Sequence, residues 1–260
     1  MSDAKTVEGL GGTKHLTVKT LIDEKQEDFQ LSLLAGSTGL ERRKIATPDV
    51  FRPGLALAGY TEHFLTERVQ IVGMTEVSYL RTLPPSRAEA AIGQVMSFEP
   101  PCFIITKGLE LPDCFLAAAE SRAIPILRTP TDTTPFIHAL TAYLSFKLAP
   151  EVTVHGTLVD VDGVGLLLVG ESGIGKSECA LDLVERGHRL VADDRVRIVR
   201  RGAGILMGYG TEASDLLQHH LEVRGVGIVD IYSMYGIRSI RIQKRIEVQV
   251  ELVRWIDISM

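Results

Sequence analysis

The stretch VGLLLVGESGIGKSECALDLVER, residues 164–186, decides the fold. Its first part, Val164 to Val169, is an apolar run of strand length. Its last part, Ser177 to Arg186, sets Ala180, Leu181 and Val184 on one face of a helix, and Gly187 supplies the stop. Between them Gly170-Glu171-Ser172-Gly173-Ile174-Gly175-Lys176-Ser177 meets the pattern G-x-x-x-x-G-K-[ST] at every fixed position, after a strand and before a helix as the chemistry requires. Three glycines let the backbone curl so that successive N–H groups face inward at the positive end of the helix, forming an anion cradle. Lys176 is placed to reach β- and γ-phosphates, and the Ser177 hydroxyl to coordinate a Mg²⁺ bridging the same oxygens. Ser172 adds a further hydroxyl. The stretch predicts a P-loop domain that takes a nucleoside triphosphate.

Working outward, Val152 to Val161 and Val164 to Val169 are β-rich runs joined by Asp162-Gly163, a dipeptide that tolerates the positive φ values of a tight hairpin. An antiparallel pair therefore enters the loop, unlike the parallel βαβ unit, where a crossover helix separates successive strands. Downstream, His188 to Ala192 reads as a short strand that ends on Asp193-Asp194. Strands are expected at Val196 to Val199 and Ile205 to Tyr209, and a helical piece around Ser214 to His220. Ile246, Val248, Val250 and Leu252 alternate with Glu247, Gln249 and Glu251, as in a half-buried strand.

Phosphoryl transfer to an alcohol needs one carboxylate near Mg²⁺ and one free to take a hydroxyl proton, and Asp193-Asp194 offers both at the strand end. Adjacent aspartates also end strands for purely structural reasons. His155, expected about two strand-widths from the loop if its strand pairs with Val164 to Val169, stands next to Gly156, where backbone or ligand can approach closely, and could orient an aspartate. Glu222-Val223-Arg224-Gly225-Val226-Gly227 puts an acid and a base on one face of an extended segment; Glu222 could supply Mg²⁺ with a second carboxylate, and a surface ion pair is the plain alternative. His188, His219 and His220 read as solvated or helix-end residues, with no partner at zinc-ligand spacing.

Residues 1–148 read as a separate α/β module, with apolar runs Val69 to Val72 and Cys102 to Ile105, helices over Phe115 to Ala123 and Ala139 to Leu148, and proline punctuation at Pro84-Pro85, Pro100-Pro101 and Pro130 to Pro135. This half shows no catalytic constellation. The boundary is expected near Ala149-Pro150, giving a second domain over 149–260. The 260 residues are 45% hydrophobic and 23% charged, with a net charge of −5 and no basic stripe, which argues against nucleic acid as a partner. No apolar run is long enough to span a membrane, so a soluble, cytoplasmic protein is expected. Cys102, Cys114 and Cys179 form no C-x-x-C pair and read as buried thiols in a reducing compartment.

Taken in order and at their intervals, His155-Gly156, the loop Gly170 to Ser177, Gly187-His188-Arg189-Leu190-Val191-Ala192-Asp193-Asp194 and Glu222 to Gly227 resemble the signature of the bacterial HPr kinase/phosphorylase family. Arg52-Pro53-Gly54-Leu55-Ala56-Leu57-Ala58-Gly59-Tyr60 extends the resemblance into the first half. The resemblance implies an N-terminal α/β domain followed by a P-loop kinase domain similar in fold to phosphoenolpyruvate carboxykinase. It implies phosphorylation of a serine of the phosphocarrier protein HPr with ATP and Mg²⁺, and removal of that phosphate by inorganic phosphate to give pyrophosphate. Asp194 would then be the base in one direction and the acid in the other, assisted by His155 and Lys176, with Ser177 and Glu222 on Mg²⁺. Which of Asp193 and Asp194 moves the proton stays open. A homo-hexamer is implied as well.

Family members continue beyond the position of Met260 into a segment with a catalytic arginine and a helical tail, so the resemblance implies that nucleotide binding survives here better than turnover and that phosphorolysis suffers most. Two rivals remain. A small-molecule kinase is compatible with the loop, which says nothing of the acceptor. A nucleotide-sensing module without turnover is compatible too. A GTPase of the N-K-x-D type is excluded, because the chain holds no asparagine.

Overall fold

A computed structural model describes residues 14–202, 204–211 and 220–254. They fall into two compact units, one ending at Leu148 and the other beginning at Ala149.

The first unit runs β1 (Leu16–Thr17), α1 (Val18–Lys25), β2 (Ser32–Ala35), β3 (Lys44–Ile45), β4 (Val50–Phe51), α2 (Gly54–Leu57), β5 (Val69–Val72), α3 (Met74–Thr82), α4 (Pro85–Ser97), β6 (Phe103–Ile105), α5 (Asp113–Ser121), β7 (Ile126–Arg128) and α6 (Thr133–Lys147). Its sheet has the order β2-β7-β6-β5-β4, parallel from β4 through β7 and antiparallel at β2. β5 and β6 are buried throughout; β6 is an unbroken apolar run, and the one polar residue of β5, Gln70, is buried with its Nε2 donating to the carbonyl oxygens of Leu65 and Arg68. One face of the sheet packs Val72, Phe103 and Ile105 against α4 and α5; the other packs Ile71, Ile104 and Leu127 against α1 and α6. Each such side chain stabilises the fold by about 1.5–3 kcal/mol on burial. The first unit is thus the α/β module the sequence predicts.

The second unit contains β8 (Glu151–His155), β9 (Thr157–Val161), β10 (Val164–Gly170), α7 (Lys176–Glu185), β11 (Arg189–Ala192), β12 (Arg195–Arg201), β13 (Ile205–Gly210), β14 (His220–Val223), β15 (Gly227–Asp230), α8 (Ile231–Tyr235), β16 (Gln243–Arg245) and β17 (Val248–Leu252). Two four-stranded sheets, β11-β9-β10-β17 and β16-β13-β12-β8, stack face to face over Leu158, Leu167, Val191, Val196 and Ile198. Ala180 and Val184 of α7 pack on Val159 and Leu190, on the outer side of the first of these sheets. β9 and β10 form the expected hairpin, turning through Asp162 at φ 50° and Gly163 at φ 87°. β17 completes that sheet as a parallel neighbour of β10.

Two expectations need correction. The run from Val152 to Val161 is not one strand. It breaks at Gly156 and changes sheets, because a Cβ there would lie 2.7 Å from the Leu168 carbonyl oxygen and only glycine passes at that distance. His155 therefore belongs to β8, which pairs with β12 and not with β10. Nor are all three cysteines buried: Cys102 is, whereas Cys114 is half-buried and Cys179 exposed on α7. The helix expected around 214–220 lies outside the described residues apart from His220, which opens β14. His219 lies outside them too. Among the described residues no helix is long and apolar enough to cross a membrane.

Candidate active site

The site gathers where four segments of the second unit converge: the turn from β10 into α7, the end of β11, the break between β8 and β9, and β14. Gly170, Gly173 and Gly175 of the turn have φ of 144°, 74° and 110°, values that a side chain would oppose. Lys176 is 6% exposed, and its Nζ donates to the carbonyl oxygens of Gly170 at 3.0 Å and Glu171 at 2.9 Å. The ammonium is therefore held over the mouth of its own loop, and an incoming phosphate has to exchange with those two carbonyls. Ile174 spans the turn, its N–H donating to Glu171 O at 3.3 Å, and Ser172 lies exposed at its tip.

The two aspartates do different things. Asp193 faces the loop: Ser177 Oγ donates to its Oδ2 at 2.9 Å, Thr157 Oγ1 to its Oδ1 at 2.6 Å, and Glu222 N–H to its Oδ2 at 3.4 Å. Asp194, at φ 62°, turns the other way and is 71% exposed. Its Oδ1 lies 3.0 Å from His155 Nδ1, and its carbonyl oxygen accepts from Gly156 N–H at 3.1 Å. The sheet change at Gly156 is what produces this arrangement. It delivers His155 to one aspartate and Thr157 to the other from neighbouring positions in the chain.

Glu222 is brought to the site through its backbone, with its side chain exposed beyond Asp193. The structure brings together His155, Lys176, Ser177, Asp193, Asp194 and the backbone of Glu222. His188 and His220 stand apart, near Asp162 at 3.7 Å and Asp230 at 4.0 Å. Ser177 Oγ and the Asp193 carboxylate are hard oxygen donors on one spot, a set that fits Mg²⁺. Among the described residues no group of three or more His, Cys, Asp or Glu could hold a metal.

Three contacts escaped sequence reasoning. Thr157 is fully buried, and its tie to Asp193 has no local signal beyond the glycine before it. Arg224 lies against the phosphate loop rather than pairing with Glu222: a methyl group on Gly173 would come within 2.1 Å of its guanidinium nitrogen. The two glycines that follow, Gly225 at φ 79° and Gly227 at φ 102°, were the available hint of a tight turn presenting it. Arg254 reaches the loop rim through Glu171, at 3.5 Å.

A strand, a glycine loop with buried lysine and a following helix, faced by a carboxylate on the next strand, define the P-loop phosphotransferase class. Family models narrow this. The HPr Serine kinase N terminus matches residues 16–144, and the HPr Serine kinase C-terminal domain matches residues 146–259. The HPr kinase/phosphorylase of Geobacter sulfurreducens is 46% identical over 92% of this chain and 74% of its own length, and that of Brevibacillus brevis is 42% identical over 91% and 75%. A solved structure, the Hpr(Ser) kinase/phosphatase from Coxiella burnetii, aligns over 42% of this chain and 64% of its own at 28% identity, with a TM-score of 0.38. The chain belongs to the HPr kinase/phosphorylase family, an ATP-using family of serine kinases.

Proposed function

We propose that this chain transfers the γ-phosphoryl group of ATP to a serine of HPr and, at the same site, returns that group to inorganic phosphate as pyrophosphate. The observation that carries the reading is the separation of the two aspartates, one saturated with donors beside the loop serine and one exposed beside a histidine.

The Asp193 carboxylate already receives two hydroxyls and an amide on the loop side and sits against Ser177 Oγ, so with Ser177 it is the metal-side group. Asp194 keeps lone pairs free toward solvent, where a protein hydroxyl can arrive. It takes the serine proton as the oxygen attacks phosphorus, and gives it back when phosphoserine is cleaved. His155, 3.0 Å away, orients that carboxylate. Lys176 and the loop amides of Gly170 to Ser177 hold the transferred charge, and the Arg224 guanidinium adds to them. Ser177 Oγ and the Asp193 carboxylate would hold Mg²⁺, with the exposed Glu222 as a further carboxylate nearby, and the ion would supply positive charge against the phosphates.

We assign catalysis to residues 149–260 and a separate domain to residues 1–148. On the family resemblance we infer a cytoplasmic homo-hexamer; sedimentation of the purified chain tests the assembly.

Incubation of the chain with labelled ATP, Mg²⁺ and HPr tests the activity. Label on the HPr serine, absent when that serine is alanine, is expected. Tight ATP binding with no transfer to HPr would favour a sensing module, and transfer to a metabolite instead would favour a small-molecule kinase.

A further inference from the structure

The first unit holds a cavity of about 570 Å³ that the phosphoryl chemistry does not use. Its size is that of a small-ligand site. Arg42, Arg43, Lys44 and Arg122 line it, against Glu67 and Glu99.

The charges do not cancel. Glu99 Oε2 lies 3.9 Å from Arg43, and Glu67 Oε1 lies 3.7 Å from Arg68 Nε, outside the cavity lining. Arg42, Lys44 and Arg122 are left exposed, with no carboxylate partner among the described residues. Three like charges around one concave space repel each other, and an anion placed between them relieves that repulsion.

The wall behind these cations is rigid. Arg43 Nε donates to Ala123 O at 3.1 Å, and its terminal nitrogens donate to Glu99 O at 2.8 Å, Pro100 O at 3.3 Å and Arg122 O at 2.8 Å. Two of the residues it ties, Glu99 at φ 52° and Ala123 at φ 51°, hold left-handed conformations that L-residues seldom adopt. Gly39 packs so closely that a Cβ would lie 2.0 Å from Ala123 O. Such conformations persist only where the surroundings over-determine them, and here they fix the chain that presents Arg122.

We propose that this cavity binds a small phosphate-bearing molecule with two or more negative charges, through Arg42, Lys44 and Arg122, with Arg43 holding the wall in place. The two exposed guanidinium groups suit the paired oxygens of a phosphate, and the cavity is too small for a macromolecular polyanion.

The test is calorimetric titration of the full chain with inorganic pyrophosphate at low salt. Two sites are expected, because the phosphate loop takes the same probe. Lys176→Ala should remove one and keep the other. Lys44→Gln combined with Arg122→Gln alters exposed side chains only, so it should keep the thermal midpoint and weaken the second site by about tenfold or more. A single site that Lys176→Ala abolishes overturns the proposal, as does a second site indifferent to the double variant. Should the double variant unfold, hydrogen exchange of the Lys176→Ala chain gives an independent reading. Added pyrophosphate should protect amides in 39–44 and 122–124, and no added protection overturns the proposal.

Discussion

Exchanging each aspartate for asparagine separates the two roles assigned at the strand end. Asp194 and His155 are 71% and 49% exposed, so their contact is worth under about 1 kcal/mol of stability, and Asp194→Asn should melt within a degree or two of the parent. A positioned general base contributes about 10²–10⁴ in rate, or roughly 3–5 kcal/mol at 1.36 kcal/mol per decade, and that is the expected loss of transfer to HPr. Asp193→Asn should behave differently. Three donors converge on that carboxylate, and an amide can accept through only one of its two positions. At least one donor loses its partner, at a cost of about 1–3 kcal/mol, so the melting temperature should fall by several degrees and Mg²⁺-dependent nucleotide affinity with it. Labelled transfer, nucleotide titration and a thermal melt on both variants decide the matter. If Asp194→Asn transfers phosphate within about threefold of the parent at unchanged stability and affinity, the proton does not pass through Asp194 and the assignment is wrong.

Gly173→Ala forces a side chain at φ 74° and within 2.1 Å of Arg224, so titration with a fluorescent ATP analogue should show affinity reduced by at least about tenfold. Gly156→Ala meets Leu168 O at 2.7 Å; overpacking there should cost about 1–3 kcal/mol in denaturant unfolding and weaken transfer by displacing His155. Hydrogen bonding from Lys147 holds the Glu24 carboxyl below its ordinary value of 4.5, with Tyr143 assisting. The stability it adds is present above that value and is lost as pH falls through the lowered one. The gap in melting temperature between parent and Glu24→Gln should therefore be open at pH 7, small because the pair is partly exposed, and closed under strongly acid conditions. Burial pushes the Cys102 thiol up to about 12, so a maleimide should label Cys179 in the folded chain and reach Cys102 only after unfolding.

The phosphate loop was legible because its chemistry is local: strand, glycines, lysine and helix follow one another in the chain, as do Asp162-Gly163 and their hairpin. The strands β5 and β11 were legible for the same reason, each being a short apolar run between turn signals. What stayed hidden depends on non-local pairing. Residues of β type on both sides of Gly156 read as one strand, since only the proximity of Leu168 O, on the returning strand of the hairpin, marks the glycine as a crossing point. The tie between Thr157 and Asp193 follows from that crossing and shared its invisibility. The spacing of Glu222 and Arg224 leaves a surface ion pair open as one alternative, whereas the turn at Gly225 sends Arg224 to Gly173.

Strand β17 carries a consequence for how the molecule is made. It is the parallel neighbour of the strand leading into the phosphate loop, paired from Leu166 with Val248 to Gly170 with Leu252, and Glu247 just ahead of it accepts the Gly165 N–H across 82 residues of chain. At about 5–20 residues per second a ribosome needs several seconds to bridge that interval. Throughout it the phosphate-loop strand emerges with one edge bare, a template open to any passing strand. The lysine-bearing loop is thus synthesised well before the strand that covers the edge of its sheet.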